Sequence, residues 1–495
     1  MFKNNIVSVK QGALLGKDAG DGVTAFLGVP FAKPPVGSLR WREPQKPDSW
    51  RGVRPATQYM AGPIQSYGFT DEDGYETAYY SEDCLYLNIW TPASSKEEKL
   101  PVFVWYYGGS YQGGRADDPS FVGTGLAKKG VITVTVNYRV NVFGFLCHPD
   151  MKNESPYKTG GNFGFLDQVE ALIWLRENIE NFGGDPEQIT IGGQSAGSAS
   201  CNNLMSSPLS IGLFSKAINQ SGDVLQPERD ITFDDAAKGG VILAEHFGCK
   251  SLDELRKIPA DEFVKLNFDV AINVLHVPCT PVIDGVVIPM SQGNTLLRGI
   301  GAKIPIMIGS NEDEGSGGGP GYKERILGRF NLSEDLYKED EENPRKATML
   351  LARDYWYARH LGWTKIRSED LNLPTWQYVY ARKDGAMGAM HGAEIPYVFR
   401  TLDIAETGKR RLPYEEGDYK LMEIISSYWA NFIKTGDPNG EGLPKWDIKT
   451  KDSGHMRLDL ECGMEKDDYL HENDKYVCPA VYEWLKKRAS GEIDG

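Results

Sequence analysis

Apolar positions along this chain fall into two spacings. Short, nearly unbroken runs stand at Pro101-Val102-Phe103-Val104-Trp105-Tyr106, at Ile304-Pro305-Ile306-Met307-Ile308 and at Trp376-Gln377-Tyr378-Val379-Tyr380. Runs of this length predict strands buried on both faces of a sheet. Gln188-Ile189-Thr190-Ile191-Gly192 and Ile6-Val7-Ser8-Val9 predict two further strands. Elsewhere the spacing is helical. Leu166, Val169, Leu172, Ile173 and Ile179 predict one face of a helix packed on a sheet. Leu421, Ile424, Ile425, Tyr428, Trp429 and Phe432 predict a second amphipathic helix. Buried strands interleaved with helices predict an α/β fold with a large, mostly parallel central sheet flanked by helices.

Chemistry enters where these elements end. Gly193-Gln194-Ser195-Ala196-Gly197 follows the strand at 188–192 and precedes a segment able to form a helix. A G-x-S-x-G in that context predicts a strained elbow that lifts the serine hydroxyl above the sheet edge. Glycine on either side admits the tight turn. Tyr107-Gly108-Gly109-Ser110-Tyr111 follows the strand at 101–106. It fits an oxyanion-binding loop and, on its own, a plain glycine turn equally well. Asn311-Glu312-Asp313-Glu314-Gly315 follows the strand at 304–308. Acids at a strand's C-terminal end can reach the crevice where α/β sheets bind ligands, or simply face solvent. Of seven histidines, His391 alone has glycine directly after it and three residues before it. The order Ser…Glu…His is the one an α/β-hydrolase triad requires.

Longer stretches carry a resemblance. Phe26-Leu27-Gly28-Val29-Pro30-Phe31-Ala32-Lys33-Pro34-Pro35-Val36-Gly37 opens it, and Ser81-Glu82-Asp83-Cys84-Leu85-Tyr86-Leu87-Asn88-Ile89-Trp90 continues it. Gly161-Asn162-Phe163-Gly164-Phe165-Leu166-Asp167-Gln168 and Asn181-Phe182-Gly183-Gly184-Asp185-Pro186 follow, with Thr435-Gly436-Asp437-Pro438-Asn439 near the end. In these motifs the chain resembles the type-B carboxylesterases, which include cholinesterases and fungal lipases. The resemblance implies an α/β-hydrolase fold with long insertions. It implies Ser195 as nucleophile, His391 as base, and Glu314, directly before the glycine, as the acid. It also implies an oxyanion hole built from the backbone N–H groups of Gly109, Ser110 and Ala196. Ser221 is implied as a buttress behind the triad, and residues 60–84 as a flap over the active-site entrance. A lipase acting at lipid interfaces and a non-catalytic binding or adhesion protein are the alternatives within the same resemblance.

The departures from that pattern are specific. Ser110 stands where the third glycine of the oxyanion loop is expected. Tyr107 stands where many carboxylesterases carry His. Gln194 replaces the Glu that cholinesterases place before the nucleophile. Gly74 occupies the position of their choline-stacking Trp, which weakens a cation–π platform. No cysteine precedes Cys84, and Glu254-Leu255-Arg256 stands where Cys-Leu-Arg is expected after Gly248-Cys249. Both family disulfides are therefore expected to be absent.

Composition then narrows the class. With 495 residues the chain could fill about three average domains. Triad members spread from 195 to 391 require one large fold, so a single domain over 1–495 is expected. The net charge of −15 disfavours nucleic acid, which needs clustered Lys and Arg. No apolar run is long enough to span a bilayer. The first residues, Met1-Phe2-Lys3-Asn4-Asn5, carry no apolar signal segment. With the missing disulfide partners this predicts a cytoplasmic protein. No His/Cys cluster has metal-ligand spacing, and Ser316-Gly317-Gly318-Gly319-Pro320-Gly321 lacks the Lys-Ser/Thr of a P-loop, so no cofactor is expected. The expected partner is a small-molecule ester. Its identity and the oligomeric state do not follow from the sequence.

Overall fold

The computed structural model describes residues 5–65, 79–222, 225, 230–266, 279–314, 321–338, 343, 345–383, 388–405, 414–467 and 470–493. Eleven strands form its main sheet. In chain order they are β1 (Lys17–Asp18), β2 (Thr24–Pro30), β3 (Tyr86–Thr91), β4 (Leu100–Tyr106), β5 (Ile132–Val136), β6 (Gly184–Gln194), β7 (Lys216–Gln220), β8 (Ile306–Asn311), β9 (Thr375–Tyr380), β10 (His455–Leu458) and β11 (Gly463–Glu465). Across the sheet they run β11-β10-β9-β8-β7-β6-β4-β5-β3-β2-β1. Every pair from β5 to β10 is parallel, and the outer pairs on both edges are antiparallel. The apolar runs read from sequence are these central strands: β4 from Val102, β8 and β9 are buried throughout. Ile6–Val9 forms a strand too, but in a separate three-stranded sheet with Gly12–Leu15 and Val53–Pro55.

Helices cover both faces. Those used below are α1 (Phe163–Asn178), α2 (Ala196–Ser206), α3 (Lys346–Lys365), α4 (Ile395–Phe399) and α5 (Glu416–Thr435). The stripe on α5 is as expected, with Leu421, Ile425, Tyr428, Trp429 and Phe432 buried. On α1 the one-face expectation needs correction. Twelve of its sixteen residues are buried, on nearly every side. The N-terminal strands roof it: Lys10 N–H donates to Asn178 Oδ1 (2.9 Å) and Trp174 Nε1 donates to Gln11 Oε1 (3.2 Å). A helix sandwiched between two layers loses its polar face.

All seven cysteines are free thiols, Cys84 and Cys249 among them. Most of the flap expected at 60–84 lies outside the described residues, as do Gly74 and nearly all of the 316–321 loop. At the flap's base Gly62–Pro63 pairs with Tyr80–Ser81. Among the described residues no helix is long and apolar enough to cross a membrane, and no cluster of His, Cys, Asp and Glu could hold a metal ion.

Candidate active site

Four parallel strands, β4, β6, β8 and β9, lead at their C-terminal ends into the loops that carry the predicted site residues. Ser195 caps the turn between β6 and α2 with φ 57° and ψ −125°. Side chains rarely adopt such backbone angles, and strain of this kind persists only where the surroundings over-determine it. Here they do. The Ser195 N–H donates to Gln220 O of β7 at 2.9 Å. An added Cβ at Gly197 would fall onto the carbonyl of Tyr106, and one at Gly193 onto the carbonyl of Gly197. The two glycines are needed because backbone packs directly on backbone. Ala196 is the first residue of α2, where a helical N–H has no intrahelical partner.

The loop after β4 approaches just as closely. A Cβ at Gly108 would lie 2.8 Å from Gln194 O and 3.0 Å from Ser195 Cβ. Gly109 and Ser110 both have positive φ, 115° and 55°. Serine tolerates the second, so the N–H of the expected third glycine is retained at that position. Tyr107 locks the loop from beneath. Its ring stacks on Tyr138 with centroids 4.4 Å apart. Its hydroxyl donates to Tyr138 O (2.9 Å), and the Tyr138 hydroxyl donates back to Tyr107 O (2.8 Å). That reciprocal pair gives a physical reason for tyrosine at this position.

The three acids after β8 separate cleanly. Glu312 pairs with Lys383 (3.2 Å) and Arg457 (3.0 Å). Asp313 accepts the Ala389 N–H (2.9 Å) and so ties down the His391 loop. Glu314, buried at 3% exposure, accepts from His391 Nδ1 at 2.5 Å and from the Asn311 N–H at 2.9 Å. Burial alone would push the Glu314 carboxyl up. The His391 ring, its hydrogen bond, the Asn311 N–H and the nearby Ser221 hydroxyl outweigh it and hold the carboxyl below its ordinary range. Ser221 has φ 47°, and its Oγ is buried without a hydrogen bond of full geometry. It therefore backs Glu314 as a neighbour rather than as a firm partner.

Three residues fastening this half were not singled out in the sequence. Glu394, fully buried, accepts from Gln220 Nε2 (2.9 Å) and Asn311 Nδ2 (2.8 Å). Gln220 Oε1 in turn accepts the indole N–H of Trp429 (2.9 Å), and Asn311 Nδ2 also reaches Met390 O (2.5 Å). The signal was partial: Gln220 and Asn311 are polar residues at the ends of strands that are buried throughout.

Ser195, His391, Gln194, Gly109 and Ser110 face one cavity of about 440 Å³, walled by Trp356, Phe121, Ile395 and Pro396. Arg115 and Asp118 add charge to its lining. At the imidazole, the hydrogen bond to Nε2 comes from the Gln194 side chain, 3.0 Å away. A hydroxyl, an imidazole and a buried carboxylate arranged around such a cavity can perform nucleophilic acyl transfer.

Comparison with known proteins agrees with that chemistry. The pattern of the carboxylesterase family matches residues 3–326 and 322–476. Fumonisin B1 esterase of Sphingopyxis macrogoltabida is 33% identical over 460 residues, spanning 88% of this chain and 83% of that protein. Para-nitrobenzyl esterase of Bacillus subtilis (strain 168) is 32% identical over 499 residues, spanning 95% of this chain and 98% of that protein. The solved structure of a thermophilic PNB esterase superposes with a TM-score of 0.84 at 30% identity, covering 97% of this chain and 100% of its own. Fold and sequence agree over almost the whole length: the chain has the α/β-hydrolase fold and belongs to the carboxylesterase family of serine hydrolases that cleave carboxylic esters.

Proposed function

We propose that Ser195, His391 and Glu314 are the catalytic triad of this ester hydrolase. The observation that carries it is the His391–Glu314 hydrogen bond at the wall of the cavity into which the strained Ser195 opens. Ser195 Oγ attacks the ester carbonyl while His391 Nε2 takes its proton. The tetrahedral oxyanion is held by the N–H groups of Gly109, Ser110 and Ala196, each worth about 3 kcal/mol. His391 then gives its proton to the leaving alkoxide, and the acyl group stays on Ser195. Water, deprotonated by the same imidazole, releases the acid and restores the hydroxyl. Glu314 keeps the ring in the right tautomer and stabilises the imidazolium.

The substrate in this reading is a small neutral or aromatic ester. Its support is the apolar wall of Trp356, Phe121, Ile395 and Pro396 and the absence of an acid at position 194. Two of the relatives are named para-nitrobenzyl esterase and fumonisin B1 esterase. In this reading the chain acts as one domain over 1–495. Seven free thiols support a cytoplasmic setting. Nucleic acid is not a partner of so acidic a chain.

A series of p-nitrophenyl esters of rising acyl length tests the substrate class. It is paired with butyrylthiocholine against an uncharged butyrate ester of similar leaving group. Turnover of short neutral esters, with kcat/KM below theirs for the cationic ester, is expected. Preference for the choline ester, or activity only at a lipid interface, would overturn it.

A further inference from the structure

The hydrogen bond between Gln194 and His391 assigns a second function to a residue that is otherwise only the nucleophile's neighbour. Glu314 is an acceptor at both oxygens: His391 Nδ1–H reaches one and the Asn311 N–H the other. The imidazole proton therefore sits on Nδ1, and Nε2 carries the lone pair. Only the NH₂ end of an amide can face a lone pair, so Gln194 Nε2 donates to His391 Nε2 across 3.0 Å. The amide is held there. Gln194 is 6% exposed and ends β6, paired with Gln220 of β7. Its Oε1 lies on the Gly108 side, where an added Cβ would stand 3.1 Å away, and its Nε2 lies toward Gly392. From the other side Trp356 packs edge-on against the imidazole, centroids 5.5 Å apart. The lone pair that has to receive the Ser195 proton is thus occupied by the residue next to Ser195 in the chain.

We propose that Gln194 is a positioning residue: it holds His391 Nε2 between turnovers, hands it to Ser195 when an ester is bound, and favours the neutral imidazole over the charged one. This rests on His391 being the base. The sign follows from donor counting. A protonated imidazole presents Nε2–H to the Gln194 NH₂, donor against donor, unless the wedged amide turns over. Among the described residues, the other groups named around the ring do not supply this effect. Glu314 favours the imidazolium by its charge. Asp313 bonds the loop backbone at Ala389, and Glu394 is spent on Gln220 and Asn311. His360, behind Trp356, is pushed down to about 4 by burial and stays neutral in mild acid. Arg359 lies over the Trp356 ring, and Arg115 and Asp118 line the cavity beyond. All of these are shared by the wild type and its variants at 194.

The test is the acid limb of kcat/KM against pH for the wild type, Gln194→Glu and Gln194→Met. A carboxylate accepts from the imidazolium, so the limb's midpoint in Gln194→Glu should rise by about one to three pH units. Methionine matches the length without a donor, and its midpoint should rise by about half a unit. Thermal melting checks that both variants are folded, and the isosteric Glu keeps the experiment alive if Met is not tolerated. Midpoints that stay within about 0.2 unit of the wild type, or that fall, would overturn the role of Gln194. A wild-type profile with no acid limb would instead overturn His391 as the base, so the two failures are distinguishable.

Discussion

Around Ser195 backbone meets backbone, whereas around His391 side chains meet side chains. The elbow is fixed by a positive-φ serine, an N–H bonded to Gln220 O, and glycines seated against the carbonyls of Tyr106 and Gly197. The acid–base half hangs on loops after β8 and β9. Glu394, Asn311, Gln220 and Asp313 stitch those loops together through hydrogen bonds of 2.8 to 2.9 Å between side chains, or from a backbone N–H to a side chain. Backbone contacts tolerate almost no change of residue. A side-chain network has room for a changed side chain, at a cost set by how many partners that change leaves unpaired. One half is a rigid platform for the reacting atom. The other is an adjustable mount for the base.

The bluntest way to break the comparison is at the reacting atom. Ser195→Ala should lower ester turnover about a million-fold while leaving the fold intact. A fluorophosphonate probe should label the wild type at Ser195 alone. Labelling at another serine would discard the platform altogether. A subtler cut falls on the mount. In Glu394→Gln one amide NH₂ must face Gln220 Nε2 or Asn311 Nδ2, and neither can turn over without leaving Trp429 or Met390 unpaired. The His391 loop should shift and kcat should fall about 10- to 100-fold, with KM little changed. A wild-type kcat would mean that the network only stabilises the fold. The smallest effect is expected beneath the oxyanion loop. Tyr107→Phe removes the bond its hydroxyl donates to Tyr138 O and the one it accepts from the Tyr138 N–H, yet keeps the stacked ring and the Tyr138 hydroxyl's bond to Tyr107 O. It should cost about 1 to 3 kcal/mol of stability by denaturant unfolding and leave kcat within a few-fold. A large loss of kcat would show that the platform, too, is tuned through side chains.

The same contrast decides what could be read from the chain alone. The buried strand runs, the helix carrying Leu421 to Phe432 and the elbow at 193–197 were legible because each rests on local rules, whereas the glycine loop at 108–109 fitted a plain turn equally well. Apolar period, turn sterics and the close approach of glycine are written in adjacent residues. The choice of Glu314 over Glu312 and Asp313 came from the family motif, and the ion pairs of Glu312 and the Ala389 N–H bonded to Asp313 are consistent with it. The roofing of α1 was not legible, since nothing in its own sixteen residues says that the N-terminal strands will cover its second face. Nor was the use of Gln220, Asn311 and Glu394, which lie far apart in sequence. They meet because parallel strands β7 and β8 end side by side and the turn after His391 folds back across them. Likewise the sequence marks Gln194 as a missing acid, but only the structure turns its amide toward His391. Sequence by itself determined the elements, the order of the chemistry and the residue types. Tertiary structure decided which polar groups share a proton, because hydrogen bonds between side chains depend on distances that only the folded sheet sets.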